Sequence, residues 1–177
     1  MIDEITRPVF ASARLVMRPP TRADAPRLAA LANDFEVLKH TGGMPFPYTL
    51  ADAERLADRA HAADPRREAH FAIDLAGEGP VGGLGFYATG QAGPEAGYWF
   101  GRDYWGQGLA SEMLRAAMGW ARTEWRQRCI VASHHADNQA SARVLIKAGF
   151  LHTGRVEPRP CRARGEDVAS RWMVWLA

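Results

Sequence analysis

The sequence predicts one α/β domain of the α+β kind, and three observations lead to that prediction. The chain has 177 residues, which is enough to bury one core and short for two. Its middle third contains strand-like runs separated by turn signals. Its last third alternates between helical and strand periodicity. The predicted order of elements is β-α-α-β-β-β-α-β-α-β-β, in a single domain over residues 1–177.

The first third of the chain predicts one strand and two helices. Residues 13–18 alternate polar and apolar side chains, and two prolines end the strand that this period indicates. Thr21 and Asp24 have the spacing of a capping box, with Asp24 in place of the more usual Glu, ahead of a helical pattern. A second helix begins at Thr49, and the loop before it, residues 41–48, is rich in glycine and proline.

The middle third predicts a β-meander. Two strand-like runs at 70–75 and 81–87 are separated by a glycine- and proline-containing turn, which favours an antiparallel hairpin. A further strand at 95–100 follows the turn signal at 90–94.

The last third predicts two helices and three strands. From Gly108 onward apolar residues recur at three- and four-residue intervals, which is typical of a long amphipathic helix. A second helix, which Asn138 or Asp137 caps, ends near Gly149. The predicted strands are at 129–133, 150–154 and 170–176.

Composition excludes several classes of function. Lysine and arginine number 22 against 20 aspartates and glutamates, a surplus too small to indicate nucleic acid as a partner. No apolar stretch approaches the roughly 18 residues of a membrane span, and residues 1–7 carry acids where a signal peptide is basic. We therefore expect a cytoplasmic protein with neither membrane nor nucleic acid as a partner.

The two cysteines predict neither a disulfide framework nor a Cys-x-x-Cys site, because they are few and far apart. Cys129 lies in an apolar run and is expected in the core, whereas Cys161, between proline and arginine, is expected to be exposed. His134 and His135 adjoin Asp137, but adjacent strand residues point to opposite faces, so the two histidines do not easily share an ion. We predict no metal site and interpret both histidines as structural or surface residues.

A glycine-rich turn at 104–111 precedes the long helix. The first backbone N–H groups of a helix are unpaired and suit a phosphate, and Gly106 and Gly108 allow close approach of the backbone. A Walker A loop is excluded because the turn has no lysine. A dinucleotide-binding turn stays open, although the third glycine and the acid at the end of the next strand are missing. A purely structural turn is also open.

Four stretches in order and spacing resemble the GNAT acetyltransferases, and within them the branch that contains the bacterial ribosomal-protein N-terminal acetyltransferases. The resemblance covers nearly the whole chain and implies a GNAT fold, with a single mixed, mostly antiparallel central sheet flanked by helices. The four stretches are Arg14-Leu-Val-Met-Arg-Pro with Asp24; Glu95-Ala-Gly-Tyr-Trp-Phe; Tyr104 to Glu112; and Asn138-Gln-Ala-Ser141 followed by Val144, Lys147, Gly149 and Phe150.

The resemblance implies acetyl-CoA as cosubstrate, with no metal. The turn would bind its pyrophosphate mostly through backbone N–H groups, and Trp105 replaces the Arg or Gln that is usual at the first position of the family pattern. The pantetheine arm would lie along the strand at 95–100, although an ordinary core strand is also possible there. The cofactor-binding residues that the resemblance implies are Trp99, Phe100, Trp105, Gly106, Gln107, Gly108, Leu109, Ala110, Ser111, Asn138 and Ser141.

Acetyl transfer to an amine needs a neutral nucleophile, stabilisation of the oxyanion and a proton for the departing thiolate. The resemblance implies a backbone N–H near Phe100 for the oxyanion and Ser141 as the proton donor. Glu95 is the candidate base, directly or through water, and a solvated strand-end carboxylate is the competing interpretation. Ser141 could alternatively serve only the cap of its helix.

The acceptor is expected to be an N-terminal α-amine of a peptide or protein, or a small-molecule amine. Deprotonating a lysine amine at neutral pH costs about 3.5 kcal/mol more than deprotonating an α-amine. The loops at 41–48 and 155–167 are expected to border the acceptor, although a solvated turn is the simpler interpretation of Arg159 to Arg164. A non-catalytic acyl-CoA-binding regulatory module and a homodimer both remain possible.

Overall fold

An eight-stranded sheet organises the computed structural model, which describes residues 8–90 and 92–177. The segment 1–7, which bears on the expected lack of a signal peptide, lies outside the described residues, as does residue 91 in the turn predicted at 90–94. The strands are β1 (Phe10–Ala11), β2 (Leu15–Arg18), β3 (Ala69–Leu75), β4 (Gly79–Tyr87), β5 (Glu95–Phe100), β6 (Cys129–His135), β7 (Leu151–Cys161) and β8 (Glu166–Leu176), in the spatial order β1-β2-β3-β4-β5-β6-β8-β7.

The sheet is mixed and mostly antiparallel, as predicted, and β5 and β6 form its parallel pair. These two strands pair at Glu95 with Val131 and at Ala96 with Ala132, and no further pairing between them extends toward Phe100. The strands therefore diverge into a wedge. On the β6 side, β5 has no strand partner beyond Ala96, which leaves backbone N–H groups of that segment available to a ligand.

Helices cover both faces of the sheet. The helices are α1 (Ala25–Ala32), α2 (Phe35–Leu38), α3 (Leu50–Ala62), α4 (Leu109–Thr123) and α5 (Gln139–Lys147). Met113 of α4 and Leu145 of α5 belong to one buried cluster, and Leu28 of α1 and Ala53 of α3 belong to another. Among the described residues, no helix is both long and apolar enough to cross a membrane.

The helix caps lie at residues that the sequence predicted. The Asp24 carboxylate accepts a 2.7 Å hydrogen bond from the Thr21 backbone N–H, and Asp52 accepts one of 2.8 Å from Thr49. The Asn138 side chain accepts from the Ser141 N–H at 3.0 Å, so Asn138 rather than Asp137 caps α5. These bonds join residues three positions apart, which explains why local sequence sufficed to predict them.

The hairpin of β7 and β8 is longer than the strands predicted at 150–154 and 170–176. Pro158 and Pro160 lie between the two predicted strands, and prolines so placed are typical of a loop. However, β7 pairs only with β8 and lies at the edge of the sheet, where a missing backbone N–H costs no ladder hydrogen bond.

Cys161 is buried, contrary to the exposure expected for it. Its side chain is 1% exposed, and its thiol donates to the Thr41 carbonyl oxygen at 3.2 Å. The end of β7 is thereby packed against the loop that precedes α3, and this contact spans 120 positions of sequence.

An ion-pair network stabilises the start of α1. Arg18 donates to both carboxylate oxygens of Asp24 at 2.8 Å and to Asp74 at 2.6 Å. Burial pushes the pKa of Asp24 upward, but the hydrogen bonds from Arg18 and Thr21 outweigh it and hold that pKa below its usual value. A carboxyl group with a lowered pKa stabilises the fold above its unfolded pKa of about 3.9, and this stabilisation is lost as the pH falls through the folded value.

Asp24→Asn is expected to lower the free energy of unfolding by about 2 kcal/mol at pH 7, because Arg18 loses a charged partner in a partly buried site. Urea unfolding at pH 7 and at acid pH measures this, and the deficit should shrink in acid. Asp58→Asn is the matched control, since Asp58 pairs with Arg22 at an exposed site and should change stability little. Equal deficits for Asp24→Asn at both pH values would contradict the assigned role of the carboxylate.

Candidate active site

A cavity of about 1020 Å³ lies at the wedge between β5 and β6. Its volume is at the upper end of the range typical of ligand sites. The cavity brings together every site residue predicted from sequence except Gln107, whose side chain instead donates to the Asp103 carbonyl at 2.9 Å. The predicted residues that line it are Glu95, Trp99, Phe100, Trp105, Gly106, Gly108, Leu109, Ala110, Ser111, Asn138 and Ser141.

The turn before α4 has the backbone that its glycines allow. Gly106 and Gly108 have φ of 75° and 77°, in the left-handed region that side chains disfavour. Gly108 is the N-cap residue of α4, and within the described part of the chain no side chain caps that end of the helix. The first N–H groups of α4 are therefore free to bind an anion, and the helix dipole favours negative charge there.

Arg14 holds the turn in place, a role that sequence analysis missed. Its guanidinium donates to the Gln107 carbonyl at 3.2 Å and to Glu112 at 2.7 Å. Ser12 donates to the same carboxylate at 2.7 Å, and this bond is the main reason that the pKa of Glu112 lies below its usual value. Arg14 and Glu112 belong to two of the four stretches that carry the family resemblance, and one contact joins these distant parts of the chain.

Several predicted cofactor residues have side chains that belong to the core. Trp99 is 9% exposed and packs with the α1 side of the sheet, whereas Phe100 and Leu109 are 5% and 2% exposed and pack with the α4 side. Their backbone groups are therefore what the strand and the turn chiefly offer to a ligand.

Trp105 is different, because its side chain is 45% exposed and its indole N–H donates to the Phe100 carbonyl at 2.8 Å. This bond joins the turn to the end of β5. Since the exposed Trp105 lies at the cavity, its exposure is no argument for a dimer interface, and the homodimer stays a prediction.

Ser141 has a partner that sequence analysis did not identify. The Tyr98 hydroxyl lies 3.0 Å from the Ser141 hydroxyl. Burial raises the pKa of Tyr98 to about 12, and the hydrogen bond to Ser141 opposes that rise. Tyr98 is therefore a neutral phenol at physiological pH that can donate to Ser141, which leaves the serine proton free for another acceptor. The alternation of β5 was the available signal, because residues 96, 98 and 100 share the face that α5 covers.

Glu95 projects from the face of β5 opposite to that of Tyr98, and it is ion-paired with Arg159. The two guanidinium nitrogens contact the two carboxylate oxygens, the second at 3.2 Å, and Ser133 donates to the carboxylate at 3.3 Å. The Glu95 side chain is 14% exposed, so the interpretation of a solvated strand-end carboxylate is wrong. A solvated turn is equally wrong for Arg159, which lies within β7 with its guanidinium 4.6 Å from the centre of the Trp172 ring.

Three further residues from separate elements line the end of the cavity beyond Glu95, namely Arg59, His70 and Tyr87. His70 is 5% exposed and its pKa is lowered by burial, which keeps the imidazole neutral at physiological pH. Arg59 of α3 lies 5.4 Å from the centre of the Tyr87 ring. None of the three was singled out from sequence, because their proximity arises from the packing of α3 on β3 and β4.

The histidines of β6 are both buried, with 4% and 5% of His134 and His135 exposed, so the surface interpretation is wrong. His135 lies close to His40 and Asp137, and the potential ligand atoms of these three are within 4.8 Å of one another. Arg164 donates to the Asp137 carboxylate at 2.8 Å and places a positive charge where a cation would bind. We therefore assign no metal to this cluster, and the absence of a metal from the reaction stays a prediction.

Comparison with known proteins identifies a family model and several similar proteins. Residues 14–151 match the model described as an acetyltransferase (GNAT) domain. An uncharacterized N-acetyltransferase of Bacillus subtilis (strain 168), YoaA, is 26% identical over 150 residues, which are 83% of this chain and 85% of that protein.

Two solved structures share the fold at low sequence identity. RimJ of Mycobacterium smegmatis in complex with CoA-disulfide has a TM-score of 0.83 at 20% identity, over 96% of this chain and 88% of that one. Spermidine N-acetyltransferase of Vibrio cholerae in complex with CoA and spermine has a TM-score of 0.75 at 20% identity, over 93% and 96% of the two chains. These similarities confirm the fold that the sequence resemblance implied.

Proposed function

The chain belongs to the GNAT acetyltransferase family, and we propose that it transfers an acetyl group from acetyl-CoA to a primary amine by direct transfer in a ternary complex. One observation carries the proposal. A single cavity connects the uncapped N-terminus of α4, the unpaired edge of β5 and the Tyr98–Ser141 pair with the Glu95 side of the sheet. Such a cavity suits a long anionic cosubstrate that meets a second substrate.

The residues present fit acetyl-CoA, which supplies an acyl thioester when bound. The turn from Trp105 to Ser111 offers the free N–H groups of α4 to the pyrophosphate, with Ala110 facing the cavity. The side of β5 that β6 leaves uncovered beyond Ala96 offers backbone hydrogen bonds to the amide groups of pantetheine. Asn138 caps α5 and thereby holds Ser141 at the wedge. Both solved structures described above contain CoA or CoA-disulfide.

Each proton and each developing charge has a candidate residue. The new N–C bond forms as the C–S bond breaks, so the carbonyl oxygen is transiently negative and the sulfur leaves as a thiolate. A backbone N–H near Phe100 stabilises the oxyanion, and Ser141 protonates the sulfur while Tyr98 donates to the serine oxygen. Glu95, directly or through water, takes the proton that the amine loses.

The Arg159 contact bears on how freely the Glu95 carboxylate can bind an amine proton. The Glu95 carboxylate already accepts hydrogen bonds from Arg159 and Ser133, which leaves less of it for an amine proton. An acceptor whose amine is easily deprotonated is therefore favoured. This supports an N-terminal α-amine or a small-molecule amine over a protein lysine.

Thiol release from acetyl-CoA tests the proposal, with peptides beginning in Ala or Ser and with small primary amines as acceptors. We expect turnover with α-amines and slower turnover with lysine side chains. CoA should also raise the melting temperature, by mass action, and NAD should not. CoA binding without turnover on any amine would favour the non-catalytic regulatory module, and stabilisation by NAD alone would favour a dinucleotide site.

A further inference from the structure

Four arginines line the acceptor end of the cavity, on the Glu95 side of the sheet. They come from elements that are distant in sequence, and we call them the arginine rim. They are Arg55 and Arg59 of α3, Arg159 of β7 and Arg162 in the turn after β7.

The carboxylates at this end are already paired with the rim. Asp52 contacts Arg55, Glu68 lies 3.1 Å from Arg59, and Glu95 is bound by Arg159. Four guanidinium groups thus face three carboxylates, which leaves one positive charge in surplus. The neighbouring imidazoles add no charge to this balance. Burial lowers the pKa of His70 and of His135, which favours their neutral forms.

Arg162 is the source of that surplus. Its guanidinium donates to the Gly43 carbonyl at 3.3 Å. Within residues 8–90 and 92–177, no carboxylate lies within 4.0 Å of it as an ion-pair partner. Several of its five N–H donors therefore remain available to a ligand.

This charge distribution has opposite effects on an amine and on an acid. A positive field disfavours the ammonium form of an acceptor and favours the neutral amine that can attack the thioester. The same field opposes the binding of a polycation, since each carboxylate that the structure describes at this end is paired with an arginine. An acceptor that also carries an anionic group gains a charge-assisted hydrogen bond and avoids that repulsion.

We propose that the amine acceptor carries a carboxylate or phosphate in addition to its reacting amine, and that Arg162 binds this anion. The inference rests on the proposed function, because it concerns the acceptor of the same site. Arg162 follows Arg159 by three residues, and both line the same cavity. An anion bound by Arg162 therefore lies in the cavity that also contains Glu95.

Matched acceptor pairs test the proposal. One pair consists of peptides with Asp or Asn at the second position, and another of a free amino acid and its amide; spermine serves as a polycation. We expect kcat/KM to be about tenfold higher for the acid of a pair than for its neutral counterpart, and spermine to be the poorest acceptor. The pair with the larger kcat/KM distinguishes a peptide from a small-molecule source of the anion.

Arg162→Met should bring the acid-to-amide ratio close to one, whereas Arg66→Met, which alters an exposed arginine outside the cavity, should leave it unchanged. Equal rates for acid and amide, or a preference that survives Arg162→Met, would overturn the inference. Calorimetric titration of the same pairs into the CoA complex measures the preference without turnover. Failure of all transfer with a retained binding preference would therefore count against the proposed reaction and not against the anion site.

Discussion

Ala110→Asp is expected to weaken CoA binding by at least about 100-fold while the fold stays intact. Ala110 is the second residue of α4, is only partly buried and lines the cavity. Two like charges 4 Å apart repel by about 4 kcal/mol near a protein surface, which exceeds the roughly 2.7 kcal/mol that a 100-fold loss requires. An acid in the first turn of a helix also interacts favourably with its dipole, so stability should not fall.

Ala110→Asn is the matched control, because it adds a side chain of nearly the same size without the charge. Calorimetric titration of CoA gives the affinity of each variant, and thermal unfolding without CoA gives its stability. If the Asp variant binds CoA as well as the Asn variant does, the pyrophosphate does not lie at the N-terminus of α4.

Ser141→Ala is expected to lower kcat by about 100-fold or more, the typical contribution of a positioned general acid. The cap of α5 should survive this change, because Asn138 accepts from the backbone N–H of residue 141 and not from the serine hydroxyl. Affinity for CoA and melting temperature should therefore change little. Steady-state kinetics with an active amine, together with CoA titration, measures the separation of the two effects.

Two further variants separate the chemical role of Ser141 from a structural one. Tyr98→Phe removes the hydroxyl that donates to Ser141 and should lower kcat by less than Ser141→Ala does, with little added effect in the double variant. Asn138→Ala should show the converse pattern, a loss of about 1 kcal/mol of stability with a smaller effect on kcat. A kcat for Ser141→Ala near that of the unaltered protein would remove the serine from the proposed mechanism.

The turn before α4 and the cap of α5 followed from local sequence. The glycines at 106 and 108, which were predicted to let the backbone approach a ligand closely, have positive φ, and Asn138 is the one of the two predicted residues that caps α5. These features depend on residues within four positions of one another, so periodicity, caps and glycine placement are sufficient to predict them.

The long β7–β8 hairpin and the burial of Cys161 did not follow from local sequence. Two prolines in β7 indicate a loop to any local rule, and only the position of β7 at the sheet edge makes them compatible with a strand. Once β7 extends to Cys161, it carries Arg159 into the cavity and packs the thiol against the loop before α3.

By itself, the sequence determined the family, the order of the elements other than β1 and α2, and the glycine-rich turn before α4, because each is encoded in short patterns or in their order along the chain. Tertiary structure alone decided which charged groups and hydroxyl groups meet in the cavity. Glu95 meets Arg159 across 64 positions, and Tyr98 meets Ser141 across 43. Interactions between charges and between hydroxyl groups depend on distances in space, which no local pattern records. The pairing of the strands therefore decides which of these groups meet in the cavity.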